Sequence, residues 1–386
     1  MGGRVLGRHE GRTVRAGDGT RAGVAARAAV LRSREAPFHI EDVTLAGPGP
    51  GEALIQVAGT GFCHTDLLPR TDRLGIALPL IAGHEGAGTV LATGPGVHDV
   101  SPGSHVVMSF DSCGGCRACL AARPAGCATF FPRNLSGHRP DGTGAARDAA
   151  GVEVSASWFG QSSFATHAVV PVRALVPVPA KLPLDLLGPL GCGFQTGAGA
   201  IFNSLGVRAG SSVVVAGAGA VGLAAVMAAR AVGATAVIAV DIVPLRRKLA
   251  EELGATHTLD GRSDTLTQEI LEITGGADHA VDTTGLPALI TSLVRGLHSE
   301  GSCGLVGVQQ GDLTVDPLLL ASGRTLKGII EGDAVPRLFV PRLIDLWQQG
   351  MFPFDRLIRR YPLNEIDRAE QDVASGEVVK AVLIPS

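Results

Sequence analysis

SSVVVAGAGAVG, residues 211–222, decides the architecture of a large part of this 386-residue chain. A run of β-branched residues enters Gly217-x-Gly219-x-x-Gly222. LAAVMAARAVG then reads as a helix, IAV as a second strand, and Asp241 closes it. Strand, glycine turn, helix, strand and acid, with the acid about twenty residues beyond the turn, make a dinucleotide site. Gly217 permits the tight turn, Gly219 lets the backbone approach a pyrophosphate, and Gly222 lets helix and strand pack closely. The helix start, at Ala220 and Val221, offers unpaired N–H groups to the phosphates. Asp241 would accept hydrogen bonds from the adenosine ribose hydroxyls and repel a 2′-phosphate, so the cofactor expected is NAD. Arg246 and Arg247 follow closely, and an arginine beside this acid can accommodate NADP instead.

Working outward, residues 194–330 alternate strand and helix. VVVAG, AVIAVD, HTLD, HAVDTTG and SCGLVGV give successive strands, which predicts a doubly wound parallel sheet of α/β class. Residues 209–229 carry no charge and imitate a membrane span, but the three glycines favour strand, turn and helix. Residues 25–193 have another texture. AARAAVLRS, PFHIEDV, GEALIQVAGTG, GAGTVLATG and FATHAVVPV read as short strands with almost no helical period, a distorted β-barrel-like domain. The tail, 331–386, holds helices and a last strand and is expected to return to that domain, so that the dinucleotide unit is an insertion. Residues 1–24 are Arg- and Gly-rich with no apolar periodicity and no secretory apolar core, and are expected to be a disordered extension.

Four of the seven cysteines lie close together in CGGCRACLAARPAGC: Cys113, Cys116, Cys119 and Cys127. Four thiolates on one short loop can close a tetrahedron around a structural zinc. Disulfides are the plain alternative, although neighbours two residues apart rarely reach the geometry. An iron–sulfur cluster is another, but the ferredoxin run has Pro after its last Cys, where Ala128 stands here. Cys63 in GTGFCHTD, His84 in IAGHEGAG and Cys192 in LGPLGCGFQT each sit in glycine-flanked turns. Two thiolates and one imidazole suit a catalytic zinc that keeps its fourth position open. Singly, each reads as an ordinary buried residue. Cys303, in GSCGLVG, reads as a core cysteine.

A net charge of −3 argues against nucleic acid or an anionic membrane surface as partner. Thiols committed to zinc suit a reducing compartment, hence the cytoplasm.

From about residue 25 the chain resembles the zinc-dependent medium-chain alcohol dehydrogenases, through GFCHTD, GHEGAG, the four-cysteine loop, GCGFQTGAGA, GAGAVG and SGRTLKG. Within that family it is most similar to the aryl-alcohol (benzyl alcohol) dehydrogenases, through SFDSCGGCRAC, RPDGT, WFGQSSFATHA, EGDAVP and FPFDRLIRRYP. The resemblance implies a GroES-like distorted β-barrel catalytic domain (25–193 and 331–386) carrying both zinc sites, plus a Rossmann NAD-binding domain (194–330). It implies two zinc ions per subunit, a homodimer or homotetramer, and reversible oxidation of a primary aryl or allylic alcohol to its aldehyde. Cys63, His84 and Cys192 would hold catalytic zinc. Thr65 would take the alcohol's proton, Asp66 would hold the His84 ring, and Glu85 would be a further acid near the metal. His64 and Lys380 would meet the pyrophosphate, Thr196 would pack behind the nicotinamide, and backbone at Val306, Val308 and Ile329 would hold its carboxamide. Many members end the proton relay in a histidine where this chain has Leu68, which leaves water or His64 for that role. Ser109, Trp158 and Phe159 would line the substrate channel. Two other readings stand beside this one: a dehydrogenase of a thiol adduct of formaldehyde, such as S-hydroxymethyl-mycothiol, and a non-catalytic zinc- and NAD-binding protein.

Overall fold

The computed structural model describes residues 23–71 and 74–385. The expectation of a disordered extension falls mainly on residues outside these. The first folded strand, Val24–Leu31, pairs along its whole length with Phe38–Leu45. It heads a five-stranded sheet completed by Leu80–Ile81, Ala146–Asp148 and Glu153–Val154.

A second sheet carries the site. Its order is Leu175–Val178, His105–Met108, Glu85–Thr93, Glu52–Gly61, Lys380–Ile384 and Ile358–Pro362, with His167–Pro171 also on Glu52–Gly61. Lys380–Ile384 runs antiparallel to the end of Glu52–Gly61, so chain from the C-terminal part closes a sheet begun near the N-terminus. Bulges between Leu54 and Ile55 and between Val57 and Gly59 bend the central strand into a barrel-like curve. The register sets Gly61 opposite Glu85. Cys63, just past the end of one strand, and His84, just before the start of the other, therefore meet at one corner. A Cβ on Gly61 would lie 2.0 Å from Glu85 Oε2, so only glycine lets the strands approach there.

The inserted unit is a six-stranded parallel sheet in the order His257–Asp260, Ala236–Asp241, Ser212–Ala216, Ala277–Asp282, Leu297–Leu305, Thr325–Gly328. Five of these strands are the ones the alternation predicts. The sixth, TLKG, has too little β-branched character to stand out and is held by pairing with Leu297–Leu305. The charge-free run divides into the strand Ser212–Ala216 and the helix Ala220–Val232, and among the described residues no helix is long and apolar enough to cross a membrane. Gly217 adopts φ +89°, a left-handed turn that side chains disfavour. A Cβ on Gly222 would stand 1.7 Å from the Gly217 carbonyl, which is why the helix can sit so tightly on the turn. The helix buries Leu223 through Ala229 against Phe194, Ala198, Phe352 and Phe354, joining the inserted unit to the helix Gly193–Gly199. Each fully buried phenylalanine contributes about 1.5–3 kcal/mol through burial of its ring.

Candidate active site

Donor atoms of Cys63, His84, Glu85 and Cys192 lie within 4.8 Å of one another. Cys63 precedes the short helical segment His64–Arg70, and the Asp66 carboxylate on its first turn accepts the Cys63 N–H at 3.2 Å. His84 is buried and its Nδ1 lies 2.7 Å from Asp66 Oδ1, while among the described residues its Nε2 has no hydrogen-bond partner. Cys192 stands at the start of the helix Gly193–Gly199. An imidazole fixed through one nitrogen, with the other buried and unpartnered beside two sulfurs, fits a zinc ion bound by Cys63, His84 and Cys192.

The donors strongly perturb one another. Contact with Cys192 is the largest cause holding the Cys63 thiol well below its ordinary pKa, against burial. Cys192 is raised by the same contact and by burial. Burial opposes a charged His84, but the Asp66 carboxylate outweighs it and raises the imidazole. Burial pushes Glu85 up to about 7, against the pull of Lys380. The Lys380 ammonium lies 2.8 and 3.0 Å from the two Glu85 oxygens and 3.1 Å from the Phe62 carbonyl. Glu85 also accepts the Gly193 N–H at 3.0 Å, tying the start of the helix Gly193–Gly199 to the barrel beside the donor set.

The four-cysteine loop is a second donor set, with all four sulfurs within 4.8 Å of one another. Cys116 Sγ lies 3.5 Å from Cys119 Sγ, and Cys113 Sγ 3.9 Å from Cys119 Sγ. Zn–S bonds of about 2.3 Å place tetrahedral sulfurs roughly 3.8 Å apart, so the spacing fits a shared ion. Backbone N–H groups of Cys113, Cys116 and Ala128 point at sulfurs at 3.3–3.4 Å, as thiolates require. The Ala128 N–H is the main cause that brings Cys116 down to about 6, whereas burial raises Cys119 to about 11.

Between the domains runs a cleft of about 860 Å³, lined by Gly217, Gly219, Ala220, Val221, Asp241 and Arg246 on one side and by Cys63, His64 and Lys380 on the other. Asp241 accepts the Ala218 N–H on Oδ2 at 2.7 Å and the Val243 N–H on Oδ1 at 2.8 Å, leaving each oxygen further lone pairs. Arg247 turns away to the Asp241 carbonyl and Asp260. Thr196 is buried on the helix that begins after Cys192. The N–H groups of Val306 and Ile329 already pair with Asp282 and Leu305, so these two residues have only carbonyls to offer; Val308 is 57% exposed.

Three placements differ from the sequence reading. Lys380 borders the cleft but is only 3% exposed and is committed to Glu85, so its charge serves that acid first. Trp158, expected on the substrate channel, is fully buried, and its indole N–H donates to Asp66 Oδ1 at 3.1 Å. Ser109 is fully buried too; its hydroxyl donates to the Gly191 carbonyl at 2.6 Å and accepts from Gln195 at 2.9 Å. Phe159 stacks on the His84 ring at 4.4 Å, His64 is exposed at the cleft, and Thr65 and Leu68 are half-buried. Sequence reasoning missed Glu331, whose Oε1 lies 3.6 Å from Cys192 Sγ and whose Oε2 accepts from Gln195 at 3.0 Å. Burial lifts Glu331 to about 7, against that hydrogen bond. An acid next to Gly332 in EGDAVP was the available signal.

Residues 49–180 match the alcohol dehydrogenase GroES-like domain and residues 220–348 the zinc-binding dehydrogenase family. The chain belongs to the zinc-dependent medium-chain alcohol dehydrogenases, with a GroES-like domain, a Rossmann domain, zinc and NAD. It is 46% identical to geraniol dehydrogenase of Castellaniella defragrans, covering 94% of this chain and 98% of the relative. The solved benzyl alcohol dehydrogenase of Acinetobacter calcoaceticus superposes with a TM-score of 0.90 at 40% identity, covering 94% of this chain and all of that one. S-(hydroxymethyl)glutathione dehydrogenase of Paracoccus denitrificans is 32% identical, covering 93% of this chain and 99% of the relative.

Proposed function

We propose that this alcohol dehydrogenase oxidises primary allylic or aryl alcohols, of the geraniol or benzyl alcohol type, to their aldehydes. The aromatic packing around the donor set carries this reading. Phe159 lies on His84, Phe130 meets Phe159 edge-on at 6.4 Å, and Phe110 packs on Phe130 at 5.6 Å. These rings are almost fully buried, and an apolar surround of this kind suits a flat or unsaturated apolar group better than a thiol adduct with a hydrophilic tail. The geraniol and benzyl alcohol dehydrogenases among its relatives support the same class.

When bound, zinc supplies the Lewis acidity that makes the alcohol hydroxyl more acidic, and NAD supplies the hydride acceptor. Thr65, two residues beyond Cys63, takes the hydroxyl's hydrogen bond and passes the proton toward solvent, with His64 or water as outlet because Leu68 cannot serve. Asp66 keeps the His84 ring in place, and Glu85, neutralised by Lys380, sits behind the metal donors. Gly219, Ala220 and Val221 hold the pyrophosphate at the helix start, with His64 opposite. Asp241 takes the ribose hydroxyls. Thr196 and the backbone around Val306, Val308 and Ile329 fix the nicotinamide, which orients it for transfer.

Initial rates of NADH formation with geraniol, benzyl alcohol and ethanol test the proposal, beside formaldehyde with added mycothiol or glutathione. Turnover of the first two well above ethanol is expected. Turnover only of the thiol adducts would overturn the reading in favour of a formaldehyde-adduct dehydrogenase.

A further inference from the structure

We propose that Trp158 is a positioning residue for the catalytic metal: its indole N–H fixes Asp66, and through it the ligand His84. Asp66 is fully buried and accepts four N–H groups. Oδ1 takes Gly83 at 2.9 Å, His84 Nδ1 at 2.7 Å and Trp158 Nε1 at 3.1 Å, and Oδ2 takes Cys63 at 3.2 Å. Three of these donors crowd onto Oδ1, which has two lone pairs, and no solvent reaches the buried carboxylate to replace a lost partner. Two of the donors belong to metal-ligand residues, Cys63 and His84. The third, Gly83, is the neighbour of His84. Only Trp158 comes from a distant segment, and it is the donor that locks the acid from outside the ligand turns.

A second, independent set of contacts points the same way. Trp158 packs edge-on against Phe159 at 5.6 Å, and Phe159 stacks on His84. Gln161 donates to the His84 carbonyl at 2.8 Å and accepts the Gly86 N–H at 3.1 Å, while the Ser163 N–H reaches the Gly83 carbonyl at 2.9 Å. Ser162 accepts the backbone N–H of Trp158 at 2.8 Å and donates to the Ile81 carbonyl at 2.6 Å. Residues 158–163 thus bracket 83–86 from both sides. Phe159 and Ser162 hold left-handed backbone at φ +50° and +47°, a cost of about 1–3 kcal/mol each that persists only where surroundings over-determine the conformation. A segment whose task was only to fill volume would have no need of that backbone.

The inference rests on the reading that Cys63, His84 and Cys192 bind zinc, and its test separates the two. Zinc per chain is counted in the purified parent and in Trp158→Phe, which keeps an aromatic ring and loses the N–H. Each protein is then challenged with a chelator, and the cobalt-substituted proteins are compared by their visible spectra. A parent holding one zinc would remove the metal reading itself. With two zincs in the parent, Trp158→Phe should keep the structural zinc and bind the catalytic one about 10–100-fold more weakly, the usual effect of losing an outer partner of a ligand. In an Asp66→Asn background the same substitution should add little further. Catalytic zinc held within about twofold of the parent, in a variant of unchanged melting temperature, would overturn the proposal. Should Trp158→Phe fail to fold, the parent itself decides through the indole N–H resonances of its two tryptophans, assigned with Trp347→Phe. The Trp158 signal should be protected from exchange and should shift when the catalytic zinc is removed. An unprotected signal that ignores the metal would refute it.

Discussion

Replacing Asp241 by asparagine keeps the shape of the side chain and removes its charge. The acid ends the strand Ala236–Asp241, is 8% exposed, and has one backbone N–H on each oxygen. An amide has a single oxygen, so its NH2 must face either the Ala218 or the Val243 N–H, and one ribose hydroxyl loses an anionic acceptor. A hydrogen bond to a charged group contributes about 1.5–3 kcal/mol. At about 1.4 kcal/mol per decade, kcat/KM for NAD should fall about tenfold to a hundredfold. NADP moves the other way. Two like unit charges about 4 Å apart repel by about 4 kcal/mol at an effective dielectric of about 20. If salt halves that, relief of about 2 kcal/mol raises NADP turnover about thirtyfold. Together the preference for NAD should drop roughly 300-fold or more. Initial rates with each cofactor at saturating alcohol measure it directly. A preference unchanged within about threefold would mean that this acid does not read the ribose.

Gly222→Ala sets a methyl against the Gly217 carbonyl; over-packing of about 1–3 kcal/mol should weaken NADH binding about tenfold by fluorescence titration, and unaltered binding would contradict the tight helix–turn contact. Lys380→Met should destabilise the protein by about 3–5 kcal/mol by stranding Glu85, and the double variant with Glu85→Gln should recover much of that loss in thermal scans; equal instability of single and double variants would show that the charge pair is not the cause. Cys116→Ser should lower bound zinc from about two to about one per chain by native mass spectrometry, with the catalytic zinc retained. Loss of both ions, or of neither, would show that the two donor sets are not separate.

Local chemistry made part of this protein legible in its sequence. Gly217 and Gly222 could be read because each answers a backbone demand that neighbouring residues already impose: a left-handed turn and a close helix–strand approach. The zinc donors could be read because Cys and His in glycine turns have few other reasons to occur together. What escaped depends on pairing across long stretches of chain. Trp158 and Asp66 are 92 residues apart, and nothing near either names the other. Their meeting is set by which barrel strands are neighbours and in what register. The strand TLKG and the acid Glu331 escaped for a related reason, since an edge strand and a buried carboxylate take their character from what covers them.

Cys63 and His84 belong to the barrel, whereas Cys192 opens the helix whose Phe194 and Ala198 pack into the core of the inserted unit. An ion gripped by all three therefore rivets the two strand ends of the barrel to the root of that helix. Any movement of the inserted unit carried through that helix strains the rivet, and the slot for the dinucleotide opens beside Cys63. Linkage then runs both ways: whatever draws the walls of the slot together tightens the hold on the ion, and withdrawing the ion lets the walls drift.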